Sequence, residues 1–272
     1  MLKKVLIPLN FHEKHAYVLE MCRFLTQIGT EHVLLLHIDS AQGRNRHRSQ
    51  GRLDQYIEAI KGLGLGLEAK IRIGAVQMEI PKAAEEMGAD FISIPFKKKN
   101  VLHRAIMGSR LKDLVRQTRH PIFVYKTQKP RQHADDIFRV AYAASLKGGD
   151  EQVISTLRSN DFQADQVYFL HAGKRAPDPV AEQQRQERVA TALMAMKSKC
   201  GLTQDNGFCI SSLGSSRRLI LRTARQLPAN LVLIGKADSA IGMESVFGST
   251  AESVSYDAPC SVLIIPKHEA GL

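Results

Sequence analysis

The stretch AIGMESVFGSTAES, residues 240–253, contains the residue types in this sequence that best suit the binding of a phosphate. Gly248, Ser249 and Thr250 stand where the pattern predicts a helix start, after the apolar run NLVLIG at 230–235. The first turn of a helix has free N–H groups, and small residues let an anion approach them. The same residues are also an ordinary helix cap, so both interpretations stay open.

The first half contains a matching pair, Gly108-Ser109, in a strongly cationic stretch. The cationic side chains around this pair belong to Lys97, Lys98, Lys99, His103, Arg104 and Arg110. They could bind an anion by charge in place of a glycine-lined backbone. A charged loop exposed to solvent is the simpler interpretation, because charged residues usually lie on the surface.

No constellation of residues in the sequence predicts catalysis. His37 and His171 end equivalent predicted strands, where an imidazole could act as acid, base or ligand, but neither is accompanied by a placed carboxylate or cysteine. The sequence contains no P-loop, HExxH or GxSxG motif. We therefore predict no catalytic residue and no enzyme.

The cysteines and the hydropathy pattern indicate the cellular environment. The four cysteines are dispersed without a CxxC pair, at Cys22, Cys200, Cys209 and Cys260. This distribution disfavours a metal site and favours the reducing cytoplasm. No apolar run reaches 18 residues, so we predict no membrane span.

The residues that could do chemistry lie within an alternation of strand-like and helical patterns. Apolar runs predict five strands in the first half, at 4–10, 32–39, 67–75, 90–96 and 121–127. They predict five more in the second half, at 138–145, 166–173, 207–214, 230–235 and 261–267. The basic stretch 41–52 fits a loop or a helix start. The polar segment 128–136 predicts a linker between domains at 1–127 and 137–268.

The two halves repeat one pattern. The Gly-Ser pairs are separated by 140 residues, and the last strands begin at the same offset. The first strands align at an offset of 134, which places Asn10 opposite Ala144. Strands that alternate with helices predict an α/β class, with two tandem doubly wound domains of five parallel strands each. Such sheets bind ligands at the carboxyl ends of their strands, where the strand order reverses.

These features resemble the universal stress protein family over nearly the whole chain, as two tandem domains. The resemblance rests on the VLIPLN and LLLHID strands, the long loop and Gly-Ser pair after the fourth strand, the amphipathic helix and the last apolar strand. It implies an adenine-nucleotide alpha-hydrolase-like fold with strand order 3-2-1-4-5. It also places a ligand cleft between the first and fourth strands.

Many members of this family bind ATP through Gly, two residues, Gly, nine residues, Gly and Ser or Thr, with an Asp at the end of the first strand. In the second half Asp238 stands in place of the second glycine, and Ala144 in place of the acid. The resemblance implies a partial site for ATP or AMP there, and weak ATP hydrolysis that depends on Asp238 is an alternative. The residues of this partial site would be Ala144, Ile234, Gly235, Gly248, Ser249 and Thr250.

The first half departs further from the ATP motif. Pro95 and Lys98 replace the first two glycines, and Asn10 replaces the acid. The remaining site residues implied there are Asn10, Gly108 and Ser109. We expect the second half to be the better candidate for binding a nucleotide.

The resemblance implies a cytoplasmic, non-enzymatic stress-response or regulatory module. The domains would pack as a pseudo-dimer through their last strands, IFVY at 122–125 and VLII at 262–265. We further expect a homodimer and a protein partner of unknown kind, and we expect no association with a membrane.

The net charge of +11 leaves one alternative function. Residues 1–127 contain 21 Lys and Arg against 12 Asp and Glu, so the first domain is the basic one. It could be an anion- or nucleic-acid-binding domain, whose cations Lys97, Lys98, Lys99, Arg104 and Arg110 would cluster with Arg44, Arg46 and Arg48. The sequence disfavours nucleic acid, because no dense basic block is interleaved with aromatic residues.

Overall fold

The computed structural model of the protein describes residues 2–39, 46–96, 118–127, 137–146, 150–235 and 249–266. The chain divides into two compact units, Met1–Thr127 and Gln128–Leu272, called unit 1 and unit 2 below. The predicted linker 128–136 and the predicted helix that begins at Gly108 lie outside the described residues.

Unit 1 is a parallel sheet with helices between its strands. Its strands are β1 (Lys4–Leu9), β2 (His32–Asp39), β3 (Gly66–Ile73), β4 (Phe91–Pro95) and β5 (Ile122–Tyr125). Its described helices are α1 (His15–Gln27), α2 (Arg46–Ile60), which continues into a 3-10 turn at Lys61–Leu63, and α3 (Val76–Glu86). The strands pair in the order β3-β2-β1-β4-β5, which is the predicted 3-2-1-4-5 order.

Unit 2 repeats this topology. Its strands are β6 (Arg139–Ala143), β7 (Gln166–Gly173), β8 (Gly207–Leu213), β9 (Leu231–Gly235) and β10 (Ser261–Ile265). Its described helices are α4 (Asp150–Arg158), α5 (Pro179–Lys199), α6 (Ser216–Gln226) and α7 (Ser249–Asp257). The parallel strands pair in the order β8-β7-β6-β9-β10, so the predicted fold class is confirmed.

The core of each unit lies around its central strands. Val5, Leu6 and Ile7 of β1 have no exposed surface, because a doubly wound parallel sheet is covered by helices on both faces. Near-continuous apolar runs are typical of such strands, and all ten predicted strands lie within two residues of the observed bounds. The stretch 41–52, predicted as a loop or a helix start, is helical from residue 46.

The first strands of the two units correspond one residue away from the predicted alignment. Val5 and Val140 hold the same ladder position, because each pairs with the second residue of the next strand and the first residue of the fourth. Asn10 therefore corresponds to Ser145, and the predicted match of Asn10 to Ala144 was wrong. A strand buried on both faces has no polar alternation to reveal such a shift.

Candidate functional site

The carboxyl ends of β6 and β7 are linked by a histidine. Ala144 follows β6 and is buried, and its N–H donates to the carbonyl of Leu170 at 2.9 Å. The Nδ1 atom of His171 lies 3.1 Å from the carbonyl oxygen of Ala144. Because that oxygen can only accept, Nδ1 carries the proton of the neutral ring and Nε2 is left as an acceptor.

The predicted unit 2 residues on β6 and β9 lie together where the strand order reverses. Ile234 pairs with Ala143 in the ladder, beside Ala144, and is buried, while Gly235 is half-buried at the end of β9. Helix α7 begins at Ser249, as the Gly-Ser-Thr stretch predicted, and the half-buried Thr250 lies in its first turn. Binding by these residues stays a prediction.

Part of each predicted site falls outside the described residues. Gly248, Gly108 and Ser109 lie outside the described residues, as do Asp238 and the cationic segment 97–104. Of the cations predicted to cluster in the first half, Arg48 is described as an exposed residue of α2, and Arg46 begins that helix. The anion-binding alternative therefore stays a prediction.

A buried carboxylate that sequence reasoning missed holds the loop after β6. Asp150, at the start of α4, is 5% exposed and accepts a short hydrogen bond from the Tyr142 hydroxyl. It also accepts from the Ser145 N–H and hydroxyl at 3.1 Å and from the Leu146 N–H at 3.0 Å. Burial, and then the neighbouring carboxylate, raise the pKa of Tyr142, so this hydroxyl remains a donor. With four donors, the carboxylate positions the loop and has no evident capacity for a ligand.

In unit 1, the side chain of Asn10 is hydrogen-bonded within its own turn. Its Oδ1 accepts from the N–H of His12 at 2.8 Å, a typical Asx turn. The next residue, Phe11, has a φ of 66°, and Leu146, its counterpart in unit 2, has a φ of 58°. Both units therefore hold a non-glycine residue in the left-handed region after the first strand, which L residues rarely adopt.

The side chain of Phe11 covers the end of β2. Its ring stacks on His37 with centroids 3.8 Å apart and planes 26° apart. The guanidinium of Arg52 lies 4.6 Å from the centroid of the same ring, and its Nη2 donates to the Phe11 carbonyl at 2.7 Å. Stacking and cation–π contacts of this kind hold the ring in place.

In unit 1, the carboxylate of Asp39 contacts both His37 and Ser49. His37 Nδ1 lies 2.9 Å from the Leu9 carbonyl, and its Nε2 lies 3.3 Å from Asp39 Oδ1. The Ser49 hydroxyl contacts both oxygens of Asp39 at 3.3 Å. Because Ser49 donates to Asp39 and not to His37, these residues do not form a nucleophile–base pair. Phe11, His37, Asp39 and Arg52 are called the unit 1 rim below.

In unit 2, a residue without a side chain stands at the position that corresponds to Asp39. Gly173 stands in the place of Asp39, because each pairs with the last residue of its third strand, Ile73 or Leu213. A Cβ on Gly173 would lie 3.5 Å from His171 Nε2 and 3.4 Å from Arg185 Nη1. Among the described residues, neither of these nitrogens makes a hydrogen bond. His171, Gly173 and Arg185 are called the unit 2 rim below.

Arg185 is held in position by a buried carboxylate. Glu182 Oε2 accepts from Arg185 Nε at 2.9 Å, and Oε1 accepts from Nη2 at 2.7 Å. Glu182 also accepts from the Ala176 N–H at 2.8 Å and from the Gln186 amide at 2.9 Å. Arg185 first, and then these two donors, hold the pKa of Glu182 well below its usual range. The third nitrogen, Nη1, is left on the side of Gly173.

Across the described ranges, no group of three or more His, Cys, Asp or Glu side chains could hold a metal ion. Within the same ranges, no helix has both the length and the hydropathy that crossing a bilayer requires.

Comparison with known proteins gives a consistent result. The model of the universal stress protein family matches residues 141–266. A universal stress protein of Methanocaldococcus jannaschii is 22% identical over 155 residues, which cover 46% of this chain and 96% of that protein.

Solved structures match along nearly the whole chain. A universal stress protein from Archaeoglobus fulgidus gives a TM-score of 0.72 at 17% identity, covering 98% of this chain and 97% of that one. A protein of unknown function from Pseudomonas aeruginosa PAO1 gives a TM-score of 0.73 at 17% identity, covering 98% and 93%. At such identities the likeness concerns the fold.

Proposed function

Residues 141–266 belong to the universal stress protein family, and on this premise we propose that the protein is a regulatory module that binds an adenine nucleotide in unit 2. One observation carries the proposal. Ile234 and Gly235 end beside Ala144 at the reversal of strand order, and α7, the next described helix after β9, begins at Ser249. A strand end with small residues and a following helix start suit a phosphate-bearing ligand in a doubly wound sheet.

The proposal favours unit 2 over unit 1 on structural grounds. In unit 1, Asn10 bonds within its own turn, and the Phe11 ring already lies against His37 at the strand ends. In unit 2, the corresponding imidazole, His171, keeps a free acceptor nitrogen within the described residues. We propose a binding role without catalysis, in the cytoplasm, and a stress-response setting taken from the family.

The test is calorimetric titration of the purified full chain with ATP and with AMP. A bulky side chain at the phosphate position should abolish binding, so we expect Gly248→Trp to lose it. Gly108→Trp, at the matching position of unit 1, is the control and should bind as the wild type does. No binding by the wild type at millimolar nucleotide, or loss in the Gly108→Trp variant alone, would contradict the proposal.

The remaining expectations have separate measurements. Phosphate release from ATP should stay at the background rate, and a rate above background that needs Asp238 would favour the hydrolase alternative. Sedimentation of the full chain tests the expected homodimer. Salt-dependent binding of DNA or RNA would favour the alternative function of unit 1.

A further inference from the structure

We propose that the free edge of β8 is the surface through which two copies of this protein associate, with their β8 strands paired antiparallel about a two-fold axis. This inference goes beyond the proposed function and does not depend on nucleotide binding. β8 is the outer strand of the unit 2 sheet, and among the described residues it pairs with β7 on one side. Its other side therefore offers backbone groups to a further strand.

Every second residue of β8 directs its backbone polar groups away from the sheet. The Val167 N–H donates to the Asn206 carbonyl at 2.8 Å, and the Gly214 N–H donates to the Gly173 carbonyl at 2.9 Å. Because bonding residues alternate along a ladder, the even-numbered residues of this stretch face β7. The groups that face outward and have no partner among the described residues are the N–H and C=O of Cys209 and Ser211 and the N–H of Leu213.

The side chains of β8 do not prevent pairing with another strand. All seven residues, GFCISSL, are uncharged, and none is proline. The ladder pairs them one to one with residues 167–173, so no bulge interrupts the strand. The Phe208 ring stacks on Tyr168 of β7 with centroids 4.9 Å apart, a cross-strand contact that holds β8 in the sheet. Charge, proline and bulges are the features by which edge strands usually avoid association, and β8 has none of them.

The equivalent edge of unit 1 is protected by charge. β3 and β8 correspond residue by residue, because Ile73 and Leu213 hold the same ladder position. The charged residues of β3 that have uncharged counterparts in β8 are Glu68, Lys70 and Arg72, which correspond to Phe208, Ile210 and Ser212. Charged side chains, lysine above all, disfavour the pairing of an edge strand with another chain. This difference assigns the association to β8 and not to β3.

A second β8 strand matches this edge in both hydrogen bonding and charge. In an antiparallel pair, opposed residues exchange both N–H···O bonds, and the outward groups of β8 recur at every second residue, as that exchange requires. A two-fold axis makes the edge its own complement, and no like charges come together. The pairing covers both edges at once, so the assembly closes as a dimer and does not extend further along this edge.

The decisive variant is Ser211→Pro, which removes an outward N–H that the unit 2 ladder does not use. An edge strand tolerates proline at such a position, so the sheet should persist while pairing between copies is lost. In sedimentation equilibrium of the full chain, we expect the wild type to be a dimer at micromolar concentration. The dissociation constant of the variant should rise at least about hundredfold, since the symmetry removes the donor twice. Ser211→Lys, which gives β8 a charge like that of Lys70, should have the same effect.

Two control variants separate pairing from general damage to a sheet. Ser211→Thr keeps an uncharged residue that favours strands, so this variant should remain a dimer. Ala69→Pro is the matched control in unit 1: the N–H groups of Gly66 and Gly74 donate to residues of unit 1, so by alternation that of Ala69 faces outward. This variant should also remain a dimer. A reducing agent is present throughout, because Cys209 is exposed and a disulfide could link two copies.

The outcomes decide the inference in either direction. Circular dichroism and cooperative thermal unfolding establish which variants are folded. Dissociation of the folded Ser211→Pro or Ser211→Lys variant, with both controls dimeric, would support the assignment of the β8 edge. A monomeric wild type, or folded Ser211 variants that dimerise as the wild type does, would overturn it. Nucleotide binding is measured separately by the titrations with ATP and AMP, so failure of this inference leaves the proposed function standing.

Discussion

The two rims show how one framework can hold different side chains around the same histidine. In unit 1 the imidazole of His37 has a ring on its face and a carboxylate at its Nε2. In unit 2 the corresponding positions hold Leu146 and Gly173, and His171 makes one described hydrogen bond, through Nδ1. The duplicated fold therefore kept the histidine and its bond to the first strand, while the neighbouring side chains came to differ.

The loops after the first strands are also stabilised in different ways. Unit 1 uses an Asx turn at Asn10 and the stacked ring of Phe11. Unit 2 uses the carboxylate of Asp150, at the start of α4, which accepts from Ser145 and Leu146, and within the described ranges no ring stacks on His171. In unit 2, hydrogen bonds to a buried carboxylate therefore take the part that an aromatic side chain has in unit 1.

The largest expected effect on stability follows from the removal of the Asp150 carboxylate. Asp150→Ala leaves the Tyr142 hydroxyl and two backbone N–H groups without their acceptor, and we expect a cost of about 3 kcal/mol. Calorimetric unfolding of the full chain measures it. Asp54→Ala, which removes an exposed carboxylate with one described bond, should change stability by less than about 0.5 kcal/mol. Equal effects of the two substitutions would contradict the role given to Asp150.

The next largest effect is expected from a substitution that gives the unit 2 rim a carboxylate like that of Asp39 in unit 1. Gly173→Asp should place a carboxylate against His171 and Arg185, since a Cβ fits there at 3.4 to 3.5 Å without a clash. We expect AMP affinity to fall more than tenfold, or about 1.4 kcal/mol, measured by calorimetric titration. Gly173→Ala is the control and should retain most of the affinity. An unchanged affinity in Gly173→Asp would mean that the ligand does not approach this edge.

A smaller effect tests the unit 1 rim. Phe11→Leu removes the ring from His37 and Arg52, and we expect a loss of about 1 kcal/mol in the stability of unit 1. Chemical denaturation measures this loss, and titration should show AMP affinity in unit 2 unchanged. Phe24→Leu, which shortens a buried ring that packs near Phe123, is the control for a general packing loss. A Phe11→Leu protein as stable as the wild type would show that the ring contacts contribute nothing.

The fold could be predicted from the sequence because its signals are local and repeated. Apolar runs mark strands buried on both faces, and the Gly-Ser pairs and last strands recur at one offset. The one-residue error at Asn10 arose in a stretch where the apolar run alone had to define the register. Only the pairing of β1 and β6 with their neighbours resolves it.

The rims could be predicted only in part. His37 and His171 were identified from their places at strand ends. Phe11 was missed because a left-handed backbone at a bulky residue has no signature in the sequence, and its contact with Arg52 joins a loop to a helix 41 residues later. Asp150 was missed for the same kind of reason, since its role depends on how α4 packs against the end of β6.

The smallest effect concerns the pair of residues that the ladders make equivalent, Asn10 and Ser145. Asn10→Ala removes one hydrogen bond at an exposed turn, so we expect a loss of about 0.5 kcal/mol. Ser145→Ala removes the hydroxyl donor of a buried carboxylate but keeps the N–H donor, so its cost should be larger, about 1 kcal/mol. Chemical denaturation of both variants measures the difference. Neither substitution touches a rim, so AMP affinity should stay within twofold of the wild type, whereas loss of binding in Asn10→Ala would move the nucleotide site to unit 1 and reverse the comparison between the two units.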